Sequence, residues 1–148
     1  MIYRSASEEE TVDLGEQFAN EELRSGDVVA LRGELGAGKT KFTKGIARAF
    51  DIEEHEVASP TYSLLHEYPI AFDDGSRGLL YHLDCYRFER DDELLALGIE
   101  EHLYPQNAIT IIEWPERIEK YLPPSRIEIM IEHTGDTKRT ITIHRITE

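Results

Sequence analysis

Gly33-Glu34-Leu35-Gly36-Ala37-Gly38-Lys39-Thr40 follows an apolar run, Val28-Val29-Ala30-Leu31, and precedes apolar positions at helical spacing, Phe42, Ile46, Ala47 and Phe50. The octet reads G-x-x-x-x-G-K-T, with strand, glycine loop and helix in the order that pattern requires. Such a loop aims backbone N–H groups and the positive end of a helix dipole at one point, which suits a phosphate. Lys39 would reach the β- and γ-phosphates of a nucleoside triphosphate, and the Thr40 hydroxyl would ligate Mg²⁺. The glycines permit unusual dihedrals and close approach of backbone to phosphate.

Upstream of this core, Ser7-Glu8-Glu9-Glu10 has the form of a capping box. It predicts a helix from Glu8 to Leu23 with Leu14, Phe18 and Leu23 inward, ended by Ser25-Gly26-Asp27. Downstream, the loop helix is expected to run to Phe50, and a polar stretch, Glu53 to Glu56, leads to Ser59-Pro60-Thr61. Strands are expected at Tyr62 to Tyr68 and Leu79 to Leu83, joined by Asp73-Asp74-Gly75-Ser76-Arg77-Gly78 as an antiparallel hairpin. A short helix, Asp91 to Leu97, is closed by Gly98. Ala108 to Ile112 is nearly continuously apolar, as in a strand buried on both faces. After a break at Pro123-Pro124, alternating strands Ile127 to Glu132 and Thr140 to Ile146 flank Thr134-Gly135-Asp136-Thr137. No repeat, low-complexity segment or linker divides the chain. The pattern predicts one α/β domain over residues 1–148, a sandwich with a mixed sheet.

A phosphate loop needs a carboxylate near Mg²⁺ and a group that orients water before it can hydrolyse anything. Glu113, closing the run Ile109-Thr110-Ile111-Ile112, supplies a carboxylate at a strand end, where it could hold Mg²⁺ or act as base or water-positioner; the bland alternative is a solvent-exposed acid. Trp114 either walls a nucleotide pocket or is core. Ser59 and Thr61 sit where a switch loop would sense Mg²⁺ or γ-phosphate, although Ser59-Pro60 also reads as an ordinary turn. In His82-Leu83-Asp84-Cys85-Tyr86-Arg87, strand alternation puts His82 and Asp84 on one side of the sheet and Leu83 on the other. Asp84 could hold Mg²⁺ through water or act as base, and Arg87 could neutralise phosphate or anchor a partner. No second Cys-x-x-Cys or His pair supports a zinc site at His82 and Cys85.

The 148 residues carry 16 basic and 30 acidic side chains, a net charge of −14. Such a surface opposes direct binding of tRNA or DNA by this chain alone and suits solubility or a basic protein partner. One cysteine precludes an internal disulfide, in keeping with a reducing cytoplasm. No run is long and apolar enough to span a membrane, and no signal-peptide pattern opens the chain.

Taken in order, GELGAGKT at Gly33 to Thr40, Ser59-Pro60-Thr61-Tyr62, His82-Leu83-Asp84-Cys85-Tyr86-Arg87 and Ile112-Glu113-Trp114 resemble the bacterial TsaE (YjeE) family over almost the whole chain. The resemblance implies a P-loop NTPase-like α/β fold, a three-layer sandwich around a central sheet of parallel and antiparallel strands. It implies a small Mg²⁺-dependent ATPase required for threonylcarbamoyladenosine in tRNA next to the anticodon, acting with TsaD, which carries the transfer chemistry, and TsaB. It places the ATP phosphates on Gly36 to Thr40, with Lys39 on the β- and γ-phosphates, Mg²⁺ on Thr40 and Glu113, and the switch-like loop at Ser59 and Thr61. Asp84 becomes a catalytic or metal-orienting acid, Trp114 lies beside the metal, and Arg139 also resembles a family position. The tRNA would be met only through the assembly, and the free chain is expected to be a monomer.

Two other functions share a P-loop and a small α/β domain. A small-molecule kinase needs an arginine-bearing lid, for which Arg87 and Arg90 beside an acidic helix are poor candidates. A nucleotide-gated adaptor would bind its partner with hydrolysis incidental. A GTPase would carry Asp-x-x-Gly and Asn-Lys-x-Asp motifs, and neither is found. No arginine is placed as a finger over the γ-phosphate, so hydrolysis is expected to be slow in isolation and stimulated by a partner.

Overall fold

The computed structural model describes residues 1–34, 36–57, 65–86, 93, 96 and 98–148. The strand before the glycine loop, β2 (Val28–Arg32), lies in the middle of a seven-stranded sheet. Around it stand β1 (Ile2–Ser5), β3 (Leu65–Ala71), β4 (Arg77–Asp84), β5 (Ala108–Glu113), β6 (Arg126–His133) and β7 (Arg139–Ile146), in the spatial order β1-β7-β6-β2-β5-β4-β3. The four central strands, β6, β2, β5 and β4, are mutually parallel. Antiparallel pairing adds β7 and β1 at one edge and β3 at the other. The sheet is mixed, as the sequence predicts. Every residue of β5 is buried, because strands flank it on both sides and the sheet is covered on both faces.

One face packs α1 (Glu8–Glu22) and α2 (Lys39–Ala49), whose Phe18, Phe42 and Ile46 meet Val29, Leu31, Ile111 and Ile129. On the other face Ile99, Leu103 of α3 (Glu100–Leu103), Ile118 and Leu122 cover Val28, Ala30, Leu83 and Ile112. Three layers result. Alternation along each strand therefore assigns Leu80, His82 and Asp84 of β4, and Ile109, Ile111 and Glu113 of β5, to the face that carries α2.

Most expected elements are present with small shifts. Helix α1 ends at Glu22, and Leu23 caps it through its N–H to Ala19 O. Ser7 Oγ accepts from the Glu10 N–H at 3.1 Å, but the Glu10 carboxylate reaches the Ala6 N–H at 2.7 Å rather than that of Ser7, so only half of the expected capping box forms. The strand expected at Tyr62 to Tyr68 is described from Leu65 and continues to Ala71, because Tyr68 and Ile70 keep the inward alternation opposite Leu80 and Gly78. It is an edge strand and so tolerates Pro69. Of the helix expected at Asp91 to Leu97, Glu93 and Ala96 are described, both helical. Not anticipated were β1, α3 and the 3-10 turns over Pro115–Tyr121. No helix among the described residues is long and apolar enough to cross a membrane.

The two long helices touch through glycine. A Cβ at Gly45 would lie 2.0 Å from Val12 O, and one at Gly15 would lie 2.3 Å from Phe42 O. Intrinsic propensity makes Ala better than Gly inside a helix by roughly 1 kcal/mol. Here packing wins, because the obstructing atoms are backbone. Gly45→Ala should destabilise the protein by about 1–3 kcal/mol in urea unfolding; a stability equal to or above wild type would show that the helices can separate at no cost.

Candidate functional site

The functional side chains converge because β2, β4 and β5 end together. Parallel pairing sets Leu31 beside Glu113 and Glu113 beside Asp84, so the glycine loop that follows β2 emerges next to both acids. Gly33 turns the chain off the strand with φ +152, and a Cβ there would come within 2.6 Å of Ile131 O. Gly38, the N-cap of α2, is left-handed at φ 110, and Lys39 and Thr40 form the first turn of the helix. The loop is braced from behind: Arg139 Nε donates to Ala37 O at 2.8 Å, and a ring nitrogen of His133 bonds Gly36 O at 2.5 Å.

Gly36, Gly38, Lys39, Thr40, Asp84, Glu113 and Trp114 open onto one cleft of about 250 Å³, with Glu8 and Lys41 at its margin. Pockets that enclose a drug-sized ligand run to roughly 300–1,000 Å³. This cleft matches a phosphate tail better than a whole nucleotide. Gly33, Glu34 and Trp114 also border a second, larger cavity of about 580 Å³. Of the residues singled out in the sequence, Leu35, Ser59, Thr61, Arg87 and Arg90 lie outside the described residues.

Lys39 is 6% exposed, and its Nζ has no hydrogen-bond partner. The ammonium stands 3.5 Å from the centre of the Trp114 ring. Burial pulls its pKa below the usual lysine value, partly offset by the charges of Glu113, Glu116 and Asp84. A buried cation with no hydrogen bond is costly unless an anion completes it, and phosphate oxygens are such an anion. Asp84 is half-buried and accepts the Tyr86 N–H at 3.0 Å. Burial raises its pKa, the Tyr86 N–H opposes that rise, and the neighbouring Glu113 adds to it. Thr40, Glu113 and Asp84 share the cleft with Lys39, and this donor set fits Mg²⁺, which is held by one or two protein oxygens, substrate phosphates and water.

Glu113 is 4% exposed, so it is not the solvated strand-end acid of the bland reading. A ring nitrogen explains how it is buried: His82 Nε2 lies 2.5 Å from Glu113 Oε2. Trp114 is part core and part site. It packs against the smaller apolar cluster and against Tyr86, with ring centres 5.0 Å apart, while its face meets Lys39. Its backbone is left-handed, φ 56, immediately before Pro115. For a bulky residue in that place the conformation is strained by about 1–3 kcal/mol, and such strain gathers at functional sites.

From sequence, His82 enters only as a rejected zinc ligand, with nothing to link it to Glu113. Strand alternation places His82 on the face of Asp84, two residues on, but no sequence signal sets β4 beside β5 and so His82 beside Glu113. The roles of Glu8 and Lys41 at the cleft margin carried no such signal.

A sequence profile of the family described as Threonylcarbamoyl adenosine biosynthesis protein TsaE matches residues 5–141. The chain is 41% identical over 140 residues to the tRNA threonylcarbamoyladenosine biosynthesis protein TsaE of Bacillus subtilis, covering 95% of this chain and 82% of the relative. It is 39% identical over 137 residues to the protein of the same name from Rickettsia conorii, covering 93% and 74% of the two chains. Among solved structures it is similar to that of YdiB from Bacillus subtilis, with a TM-score of 0.77, 34% identity, and coverage of 99% of this chain and 86% of that one.

The lysine's environment yields a stability test. A lysine whose pKa is lowered by folding costs stability at every pH below that lowered value, and the cost fades as pH rises toward the ordinary 10.5. Lys39→Met, which keeps the aromatic contact through sulfur, should stabilise the ligand-free protein by about 1 kcal/mol at neutral pH. The gain should shrink near pH ~10. Urea unfolding at the two pH values checks this; a destabilised variant at neutral pH would mean the ammonium is well solvated.

Proposed function

This chain belongs to the TsaE family of threonylcarbamoyl adenosine biosynthesis proteins, and from that premise we propose that it binds and hydrolyses ATP with Mg²⁺ to drive or reset a TsaB–TsaD assembly that modifies tRNA next to the anticodon. The observation that carries the reading is the Lys39 ammonium, buried without a hydrogen bond at a cleft shared with Thr40, Asp84 and Glu113.

In this reading the backbone of Gly33 to Thr40, Glu34, Leu35 and Ala37 included, cradles the phosphates, and Lys39 exchanges its contact with Trp114 for the β- and γ-phosphate oxygens. Thr40 and Glu113 hold Mg²⁺, which when bound neutralises charge on those oxygens. Asp84, with its pKa raised, orients or accepts a proton from the attacking water. Trp114 walls the phosphate end of the site, and Ser59 and Thr61 form the loop that senses the γ-phosphate. The base and ribose lie outside a cleft of this size. The free chain acts in the cytoplasm as a monomer, and tRNA is engaged only through the assembly.

No arginine among the described residues lines the cleft. A partner that supplies one can contribute on the order of 10³–10⁵ in rate. Steady-state ATP hydrolysis should therefore be slow for the chain alone, below the roughly 1–100 s⁻¹ of kinases. It should rise strongly on adding TsaB and TsaD, and Lys39→Ala should be silent in both conditions. Confirmed ATP binding without stimulation by the pair would overturn the partner-coupled reading.

A further inference from the structure

Among the described residues, three buried side-chain polar atoms lack a hydrogen-bond partner: Lys39 Nζ, His66 Nε2 and His82 Nδ1. The first faces the cleft. The other two belong to neighbouring strands, where His66 of β3 pairs with His82 of β4 and the rings lie 6.5 Å apart. Tyr68 stacks on His66 from the next inward position, ring centres 6.2 Å apart and nearly parallel. His82 is wholly buried, at 0% exposure, on the face of the sheet that carries the main apolar core. Burying an imidazole there, with one nitrogen unpaired, costs free energy that packing alone does not return.

What that cost secures is the contact at the other nitrogen. An ionised carboxylate can only accept, so at 2.5 Å from Glu113 Oε2 the proton sits on His82 Nε2. Glutamate is among the residues that lose most rotamer freedom on ordering. Mg²⁺ in turn demands near-ideal octahedral geometry. A glutamate that must offer one oxygen to that ion gains from having its other oxygen held by a rigid donor on the adjacent strand.

We propose that His82 is a positioning residue of the metal site: its Nε2–H holds one oxygen of Glu113 and leaves the other free in the cleft, with His66 and Tyr68 as the packed wall that keeps the imidazole in place. The inference deepens the Mg²⁺–ATP reading and rests on it. His82 touches neither nucleotide nor metal; it acts through Glu113.

The test reads Mg²⁺ affinity without relying on turnover. Trp114 is the single tryptophan and borders the cleft, so its fluorescence reports ATP binding with Mg²⁺ varied from chelator to saturation. His82→Phe keeps the ring and loses the donor; His82→Gln keeps a donor near the Nε2 position. His82→Phe should raise the Mg²⁺ half-saturation by about 10–100-fold and leave metal-free ATP binding unchanged, and His82→Gln should recover most of that loss. In a Glu113→Ala background the His82→Phe effect should disappear. His82→Asn, too short to reach Glu113, replaces the Phe variant if that one does not fold. A folded donor-less variant with wild-type Mg²⁺ dependence would overturn the positioning role. So would a loss that Gln does not repair, or one that persists without Glu113. Wild-type protein that gives no ATP signal by fluorescence or calorimetry would instead sink the nucleotide reading itself.

Discussion

Leu31 and Glu113 stand side by side in the parallel pairing of β2 and β5, and the site exists because of that register. In a strand the side chains alternate, so a slip of one residue would bring Ile112 to the α2 face and send Glu113 to the opposite one. Several features prevent the slip. Every position of β5 is buried, Gly26 N–H donates to Ala108 O at 2.8 Å, and Thr110 N–H donates to Asp27 O at 3.0 Å, which pins the start of both strands. The continuous apolar run is thus a positional device as well as a core. It delivers a carboxylate and a glycine loop, 80 residues apart in sequence, to one edge of the sheet.

Polar saturation varies across the molecule in a way that points to that edge. Arg32 binds Glu128 through Nε at 2.6 Å and Glu119 through both terminal nitrogens at 2.9 Å; Arg145 holds Asp27; Arg48 bridges Asp13 and Glu16. By contrast, among the described residues the buried side-chain atoms without partners are in Lys39 and His82, both beside Glu113, and in His66, beside His82. The strained Trp114 backbone joins them. A domain stable by only ~5–15 kcal/mol does not gather such costs in one place without a use for them. Ligand oxygens can relieve the lysine, while the histidine holds its acid whether or not a ligand is present.

The sequence revealed the features whose chemistry has a fixed local pattern. Gly33 to Thr40 announced both strand and helix, Ala108 to Ile112 announced the buried strand, and Asp73 to Gly78 announced the hairpin. Short elements that exist only through tertiary pairing were illegible. β1 has four residues, Ile2-Tyr3-Arg4-Ser5, too few for alternation to register, and it is a strand because β7 offers it an edge. The same holds for α3, four residues of unremarkable composition over Leu103. In the site, Asp84, Glu113 and Trp114 were legible from their places at strand ends. The His82–Glu113 bond was not, because a contact between strands depends on which strands are neighbours, and no motif states that β4 lies beside β5. Arg139 bracing Ala37 was hidden for the same reason, across 102 positions of sequence.

The charge of the chain also has a local meaning. A protein of net charge −14 is an unexpected host for a triphosphate, yet charges beyond the Debye length of about 8–10 Å are largely screened. What matters is the cleft, where Glu8, Asp84 and Glu113 face Lys39 and Lys41, and Lys41 already lies 3.8 Å from Glu8. Three carboxylates against two ammonium groups leave the cleft negative even after the roughly +0.5 charge of the α2 N-terminus is added. On the proposed reading, free triphosphate meets repulsion there, and a divalent cation reverses the balance by serving the phosphates and Glu113 together. On that reading the acids of the cleft would do more than coordinate: they would make the site respond to the metal–nucleotide pair rather than to the nucleotide alone.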